Sequence, residues 1–220
     1  MSDVKPRGRG YRSEHRARQA ASTRSAILDA AHRLFPERGY AGTTVAAIAA
    51  AAGVAAITVY STFGSKRALL QQLIHVAITG DEDPEPIIQR GEPRAVMALT
   101  DQRAQIGAFA DSTAAIMERV APLLAVLAEA SRTEPDMAGQ YDETLRARRQ
   151  SMQEVAVAIA RNGPLRDGMS VDGAADTIWA LTSAEMTLLF MRRLDWSCQQ
   201  YAAWLAASLT ALLLPPRPSS

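Results

Sequence analysis

The sequence predicts an all-α protein in two parts, a small basic front and a larger acidic back. Hydrophobic residues reach 48% while aromatics stop at 5%, and alanine is abundant, a balance that favours helices over sheet. Apolar residues recur at three- and four-residue spacing between Gly and Pro punctuation, with no alternating strand pattern in competition. Residues 1–80 hold eleven Lys/Arg against four Asp/Glu, whereas 81–220 hold thirteen against nineteen, so a formal net charge of +1 conceals +7 and −6. Such a split implies two tasks, one of which is to meet a polyanion.

Residues 1–20 carry Lys5, Arg7, Arg9, Arg12, Arg16 and Arg18 without apolar periodicity. They read as a disordered basic arm, either a solvated tail or a strand of charge along DNA phosphate. A second domain spans 21–80. Its first helix starts at Ser22 or Thr23 and shows Ile27, Leu28, Ala31, Leu34 and Phe35 on one face. Pro36 should bend its last turn and Gly39 should end it. A second helix runs over 44–52, a third over 55–62, and Ser65 caps a fourth bearing Leu69, Leu70, Leu73 and Ile74. The stretch 80–93, rich in Asp, Glu, Pro and Gly, is a loop that opens the third domain, 81–220. Amphipathic helices follow near 94–119, 121–133, 136–161, 171–191 and 197–214, separated by Pro122, Glu134–Pro135, Asn162–Gly163–Pro164 and the corner 192–195.

Two short helices joined at a glycine form a helix-turn-helix, about 44–63. The turn needs positive φ, hence Gly53, and Ala49 and Ala52 permit close approach. Val54, Val59 and Phe63 supply the inner side of the later helix, leaving Ala56, Ile57, Thr58, Tyr60 and Ser61 outward, a face that fits a major groove.

Residues 23–74 resemble the N-terminal domain of the tetracycline-repressor (TetR-type) regulators. The resemblance lies in Ile27–Leu28, Ala30–Ala31, Leu34–Phe35, Gly39–Tyr40, Thr43–Thr44–Val45, Ile48–Ala49, Ala52–Gly53–Val54, Val59–Tyr60, Phe63, Ser65–Lys66 and Leu69–Leu70. It implies that Thr44 caps its helix and touches a phosphate, that Tyr60 gives its hydroxyl to another, and that Lys66 grips the backbone. Base readout then falls to Ala56, Ile57, Thr58 and Ser61, with Ala55 and Thr62 completing the DNA-facing set. The sequence departs from the family pattern at Pro36, Ala55, Ile57 and Thr62. Ala55 cannot cap by side chain, and the reading face becomes unusually apolar, suited to thymine methyls.

The same resemblance implies a sequence-specific transcriptional regulator, a repressor released from a palindromic operator by a small-molecule inducer. Its remaining chain would form a helical regulatory domain whose last helices pair two subunits. Leu188, Trp204, Leu205, Leu209 and Leu212 are the interface candidates. Phe109, Met117, Leu124, Met152, Trp179, Met186 and Phe190 are the pocket candidates, with Thr182, Glu185 and Thr187 as polar neighbours. Each of these also reads as ordinary core. A homodimer follows from geometry as well, since one short helix reads few base pairs.

Cys198 is the only cysteine, so no intrachain disulfide can form. His15, His32 and His75 sit at no metal-ligand spacing, and no nucleophile elbow or phosphate loop occurs. Neither catalysis nor a cofactor is expected, and without a signal or membrane segment the expected compartment is cytoplasmic. The alternative reading is a helical protein-interaction module whose basic face meets an acidic partner.

Overall fold

The computed structural model describes residues 8–81 and 91–216. These form helices joined by short turns, with no strand among them, and the chain divides into two compact units between Leu73 and Ile74. The division falls inside a helix rather than in the expected 80–93 loop, most of which lies outside the described residues. Residues 1–7 of the basic arm lie outside them too.

In the first unit, α1 (Gly8–Gly42) begins well before Ser22 and Thr23, the expected caps. Ala, Arg and Gln between 16 and 21 are strong helix formers, so the helix runs on without a core to support it; residues 15–22 are exposed. The disordered-arm expectation therefore fails for residues 8–20. Pro36 is accommodated within α1, and the break comes at Gly39, whose φ of 67° and ψ of 177° suit only glycine. Thr43 secures this break. Fully buried, its hydroxyl lies 2.7 Å from the Gly39 carbonyl and 3.1 Å from that of Leu34. Ile27, Ala31, Phe35, Ile48, Val59, Leu69 and Leu70 form the buried interior.

Next come α2 (Val45–Ala52), α3 (Ala56–Phe63) and α4 (Lys66–Thr79). Thr44 caps α2 by accepting from the Ala47 N–H at 3.1 Å, and Ser65 caps α4 by accepting from Ala68 at 3.0 Å. Between α2 and α3 the chain turns at Gly53, in the left-handed conformation with φ 68° and ψ 30°, and its N–H closes α2 on the Ala49 and Ala50 carbonyls. Nothing stands within 4 Å of a Cβ added there, so the demand for glycine is conformational rather than steric. Gly53→Ala is expected to destabilise this unit by about 1–2 kcal/mol, the cost of a left-handed L-residue, measured by chemical unfolding. No change, or a gain, would mean the turn tolerates a right-handed φ.

The second unit holds α5 (Gly91–Met97), α6 (Gln102–Ala130), α7 (Pro135–Arg161), α8 (Val171–Leu181), α9 (Ala184–Leu188) and α10 (Cys198–Leu213). Its centre is α6, against which α5, α7, α9 and α10 pack, while α7 also pairs with α8. Two expected boundaries move. Asp101 caps α6 through the Ala104 N–H at 2.7 Å, dividing the expected 94–119 helix. Pro122, expected to end a helix, instead sits inside α6. Its ring fixes a helical φ, and the one bond it cannot make is the one to the Glu118 carbonyl, at an exposed residue whose backbone water can serve.

The expected 171–191 helix is broken at Thr182–Ser183, where Ser183 caps a new start through Met186 N–H. The carbonyls this break leaves open are taken from other helices. Arg148 of α7 donates to Trp179 and Tyr201 of α10 donates to Leu181 at 2.9 Å. After α9, residues Leu189–Arg193 form a wider π-turn. It brings Phe190 onto Trp196, Tyr201 and Trp204, with ring centroids 4.5, 5.8 and 4.3 Å away. No described helix is by itself long and apolar enough to cross a membrane.

Candidate nucleic-acid interface

The axes of α2 and α3 bend by 104° across the Gly53 turn, within the range of helix-turn-helix pairs. Val59 and Phe63 point into the unit, at 2% and 9% exposure, and so anchor α3 by one side. Its opposite side is left outward: Ile57 is 73% exposed and Tyr60 49%, with Ser61 and Ala55 exposed beside them. Ala56, Thr58 and Thr62 are half-buried along the flank. Thr44 is exposed as well.

Hydroxyl chemistry on α3 is partly internal. Ser61 and Thr62 both donate to the Thr58 carbonyl, at 3.0 and 2.6 Å. Their oxygens keep lone pairs for an incoming donor such as an adenine or cytosine amino group. Ala55, at the N-cap position, makes no side-chain cap, as its chemistry requires. No charged residue lies on α3, so this surface offers methyls, hydroxyls and one phenol.

Two cations brace α3 and α4 rather than standing clear. Lys66 donates from Nζ to the Tyr40 carbonyl at 2.8 Å and lies 3.9 Å from the centre of the Tyr40 ring. A lysine in the first turn of a helix opposes the macrodipole; the carbonyl and the ring face offset that. Lys66 thus ties the Gly39 break to the start of α4, and the phosphate grip expected of it competes with this bond. Arg24, which no motif or spacing singles out, reaches from α1 to the Thr62 carbonyl at 3.3 Å. Its guanidinium carbon stands 4.3 Å over the Phe63 ring. It caps the C-terminal end of α3, where a cation is favoured.

Residues 27–73 match the family model for bacterial regulatory proteins of the tetR family. The match covers both helices, the glycine turn and the bracing residues Tyr40 and Lys66. In this unit, the chain is similar to the TetR-type regulators. No curated protein matches the sequence. Among solved structures, the TetR-type fold extends along nearly the whole chain. The TetR family transcriptional regulator PfmR from Thermus thermophilus is 18% identical, with TM-score 0.65 over 86% of this chain and 99% of that one. The transcriptional regulator FadR from Bacillus subtilis, in complex with stearoyl-CoA, is 19% identical, with TM-score 0.66 over 84% and 96%. NalD, the secondary repressor of the MexAB-OprM multidrug efflux pump in Pseudomonas aeruginosa, is 19% identical, with TM-score 0.64 over 89% and 98%.

The second unit distributes the pocket candidates instead of gathering them. Phe109 and Met152 line one apolar cavity of about 100 Å³ with Val96, Ile116 and Val155. Met117 lines a second, of about 190 Å³, with Thr187, Leu188, Arg192 and Trp196. Phe190 belongs to the aromatic cluster described above, and Trp179 lies under the Arg148 guanidinium. Leu124 and Met186 are half-buried and line neither cavity. Thr182 and Thr187 are buried, while Glu185 is exposed. Of the interface candidates, Leu205 and Leu209 must be withdrawn: both are fully buried against the chain's own α6 and α8 core. Leu212 is 43% exposed, and Leu188 and Trp204 are half-buried.

Proposed function

We propose that the protein is a homodimeric, cytoplasmic repressor whose α3 enters the major groove of a palindromic operator and which a small molecule, held in the second unit, releases. The observation that carries this is the outward face of Ile57, Tyr60 and Ser61 on a helix anchored from behind by Val59 and Phe63. A two-turn helix is unstable alone, so a sequence that holds one rigidly by its back presents its front. In this reading Thr44 and Tyr60 contact phosphates. Ala55, Ala56, Ile57, Thr58, Ser61 and Thr62 form the reading face. Lys66 acts mainly as a positioning residue. A repressor and a regulator holding an acyl-CoA among the similar structures support small-molecule control. Pairing is supported by Leu212 and by Ala203, Ala207 and Ala211, exposed along one side of α10. The ligand would act by favouring a geometry in which two reading helices no longer match the groove spacing. No catalytic step belongs to this reading.

Two substitutions separate contact from positioning. Tyr60→Phe should weaken binding several-fold on every duplex, with an unchanged melting temperature, because only a phosphate contact is lost. Lys66→Met should lower the melting temperature by a few degrees and leave the salt dependence of binding unaltered. A salt slope reduced by about one with full stability would show instead that Lys66 neutralises a phosphate.

A further inference from the structure

We propose that Arg148 anchors the acidic group of a small carboxylate effector whose apolar body occupies the cavity between α5, α6 and α7. This rests on the regulator reading above and gives its ligand a chemical class.

Arg148 is a half-buried cation without a matching anion. Among the described residues no Asp or Glu forms an ion pair with it. Burial pushes its pKa down to about 10, against the opposing pull of Glu185. Two of its needs are met internally, since one terminal nitrogen donates to the Trp179 carbonyl and to Thr182 Oγ1 at 2.7 Å. A guanidinium has five N–H donors in a planar fork, and the remaining ones are suited to a bidentate acceptor.

A second donor at the same place also lacks an acceptor. Trp179 Nε1 is buried with no hydrogen-bond partner, although a buried indole N–H ordinarily has one. The Arg148 guanidinium carbon stands 5.2 Å from the centre of that ring. A half-buried cation over the indole ring and that ring's own buried, unpaired N–H call for an anionic acceptor. A carboxylate satisfies both.

The apolar part of such a ligand has a place within reach. Met152, one helical turn beyond Arg148, lines the cavity of about 100 Å³ together with Phe109, Ile116 and Val155. Its sulfur lies 3.8 Å from Thr182 Oγ1, the oxygen that also receives Arg148. Cavity wall and cation therefore share a neighbour, with a flexible thioether between them. An empty apolar cavity of about 150 Å³ admits benzene, so short-chain or single-ring acids match this one once Met152 yields.

The test uses the full chain with hexanoate and phenylacetate, each against its neutral amide. The acids should raise the melting temperature by about 3–6 °C at tenfold excess over Kd, and the amides should not. In the wild-type protein, the indole N–H resonance of Trp179, identified by its absence in W179F, should shift with the acids far more than with the amides. Arg148→Met should cost at least tenfold in acid affinity and erase the preference. Equal response to acid and amide, or no response to any acid, overturns the proposal, and the wild-type resonance decides it even if Arg148→Met folds poorly. DNA binding of the ligand-free protein is measured alongside. Protein that binds DNA but ignores acids refutes this inference alone; protein that takes acids but not DNA refutes the regulator reading.

Discussion

Ile57→Glu should lower affinity for the operator by at least about 100-fold while leaving the protein as stable as before. The side chain is 73% exposed in the first turn of α3, so no packing is lost on replacing it. A carboxylate in that turn is even favoured by the helix dipole. Brought into a groove flanked by phosphates, the same charge meets repulsion and must shed its water, and it displaces an apolar contact to a base edge. Ile57→Ala should cost only several-fold, with the loss concentrated at T·A pairs, because the thymine methyl loses its partner. Anisotropy titration against the operator and against uracil-substituted duplexes reads both. Full affinity in Ile57→Glu would remove α3 from the interface.

Phe35→Ala is expected to destabilise the first unit by about 3–5 kcal/mol, the cost of emptying an aromatic site in a close-packed core. Phe35 is fully buried, and its ring lies nearly parallel to that of Tyr40 with centroids 6.1 Å apart. Tyr40 in turn carries Lys66 on its ring and its carbonyl. Removing Phe35 therefore loosens the bracing of α4 as well as the core, and DNA binding should fall with the folded fraction of this unit. The second unit's own core contains neither residue. Unfolding followed separately through tryptophans 179, 196 and 204, all in the second unit, should shift less than unfolding followed through DNA binding. A parallel shift of both would show that the units unfold together.

The parts legible in the sequence are those coded locally. Thr44, Gly53, Ser65 and Gly39 each act on the one or two turns around them: the structure places the first three at the helix ends their chemistry specifies and Gly39 at the break within α1. What stayed hidden depends on partners distant in the chain. Leu205, Leu209 and Leu212 lie on one apolar helix. Only the packing of α6 decides that the first two turn inward and the third outward. Arg24 joins the Thr62 carbonyl thirty-eight residues away, which no local spacing encodes. Pro122 misled because proline is disfavoured in helices on average, whereas this helix bears the loss at an exposed carbonyl. Arg148 did leave a trace. It stands at helical spacing from Met152, Val155 and Ile159, and a charge on an apolar stripe signals either a buried partner or a ligand.

Whether α3 reads a major groove is tested most directly by chemical protection of a bound genomic fragment. Dimethyl sulfate marks guanine N7 in the major groove and adenine N3 in the minor groove. Protection is expected at N7 in two patches on one face of the duplex, related by the two-fold symmetry of the site, with N3 reactivity retained between them. Binding that leaves every N7 reactive, or that shows no preference for one duplex over another, would contradict a groove-reading role for this helix.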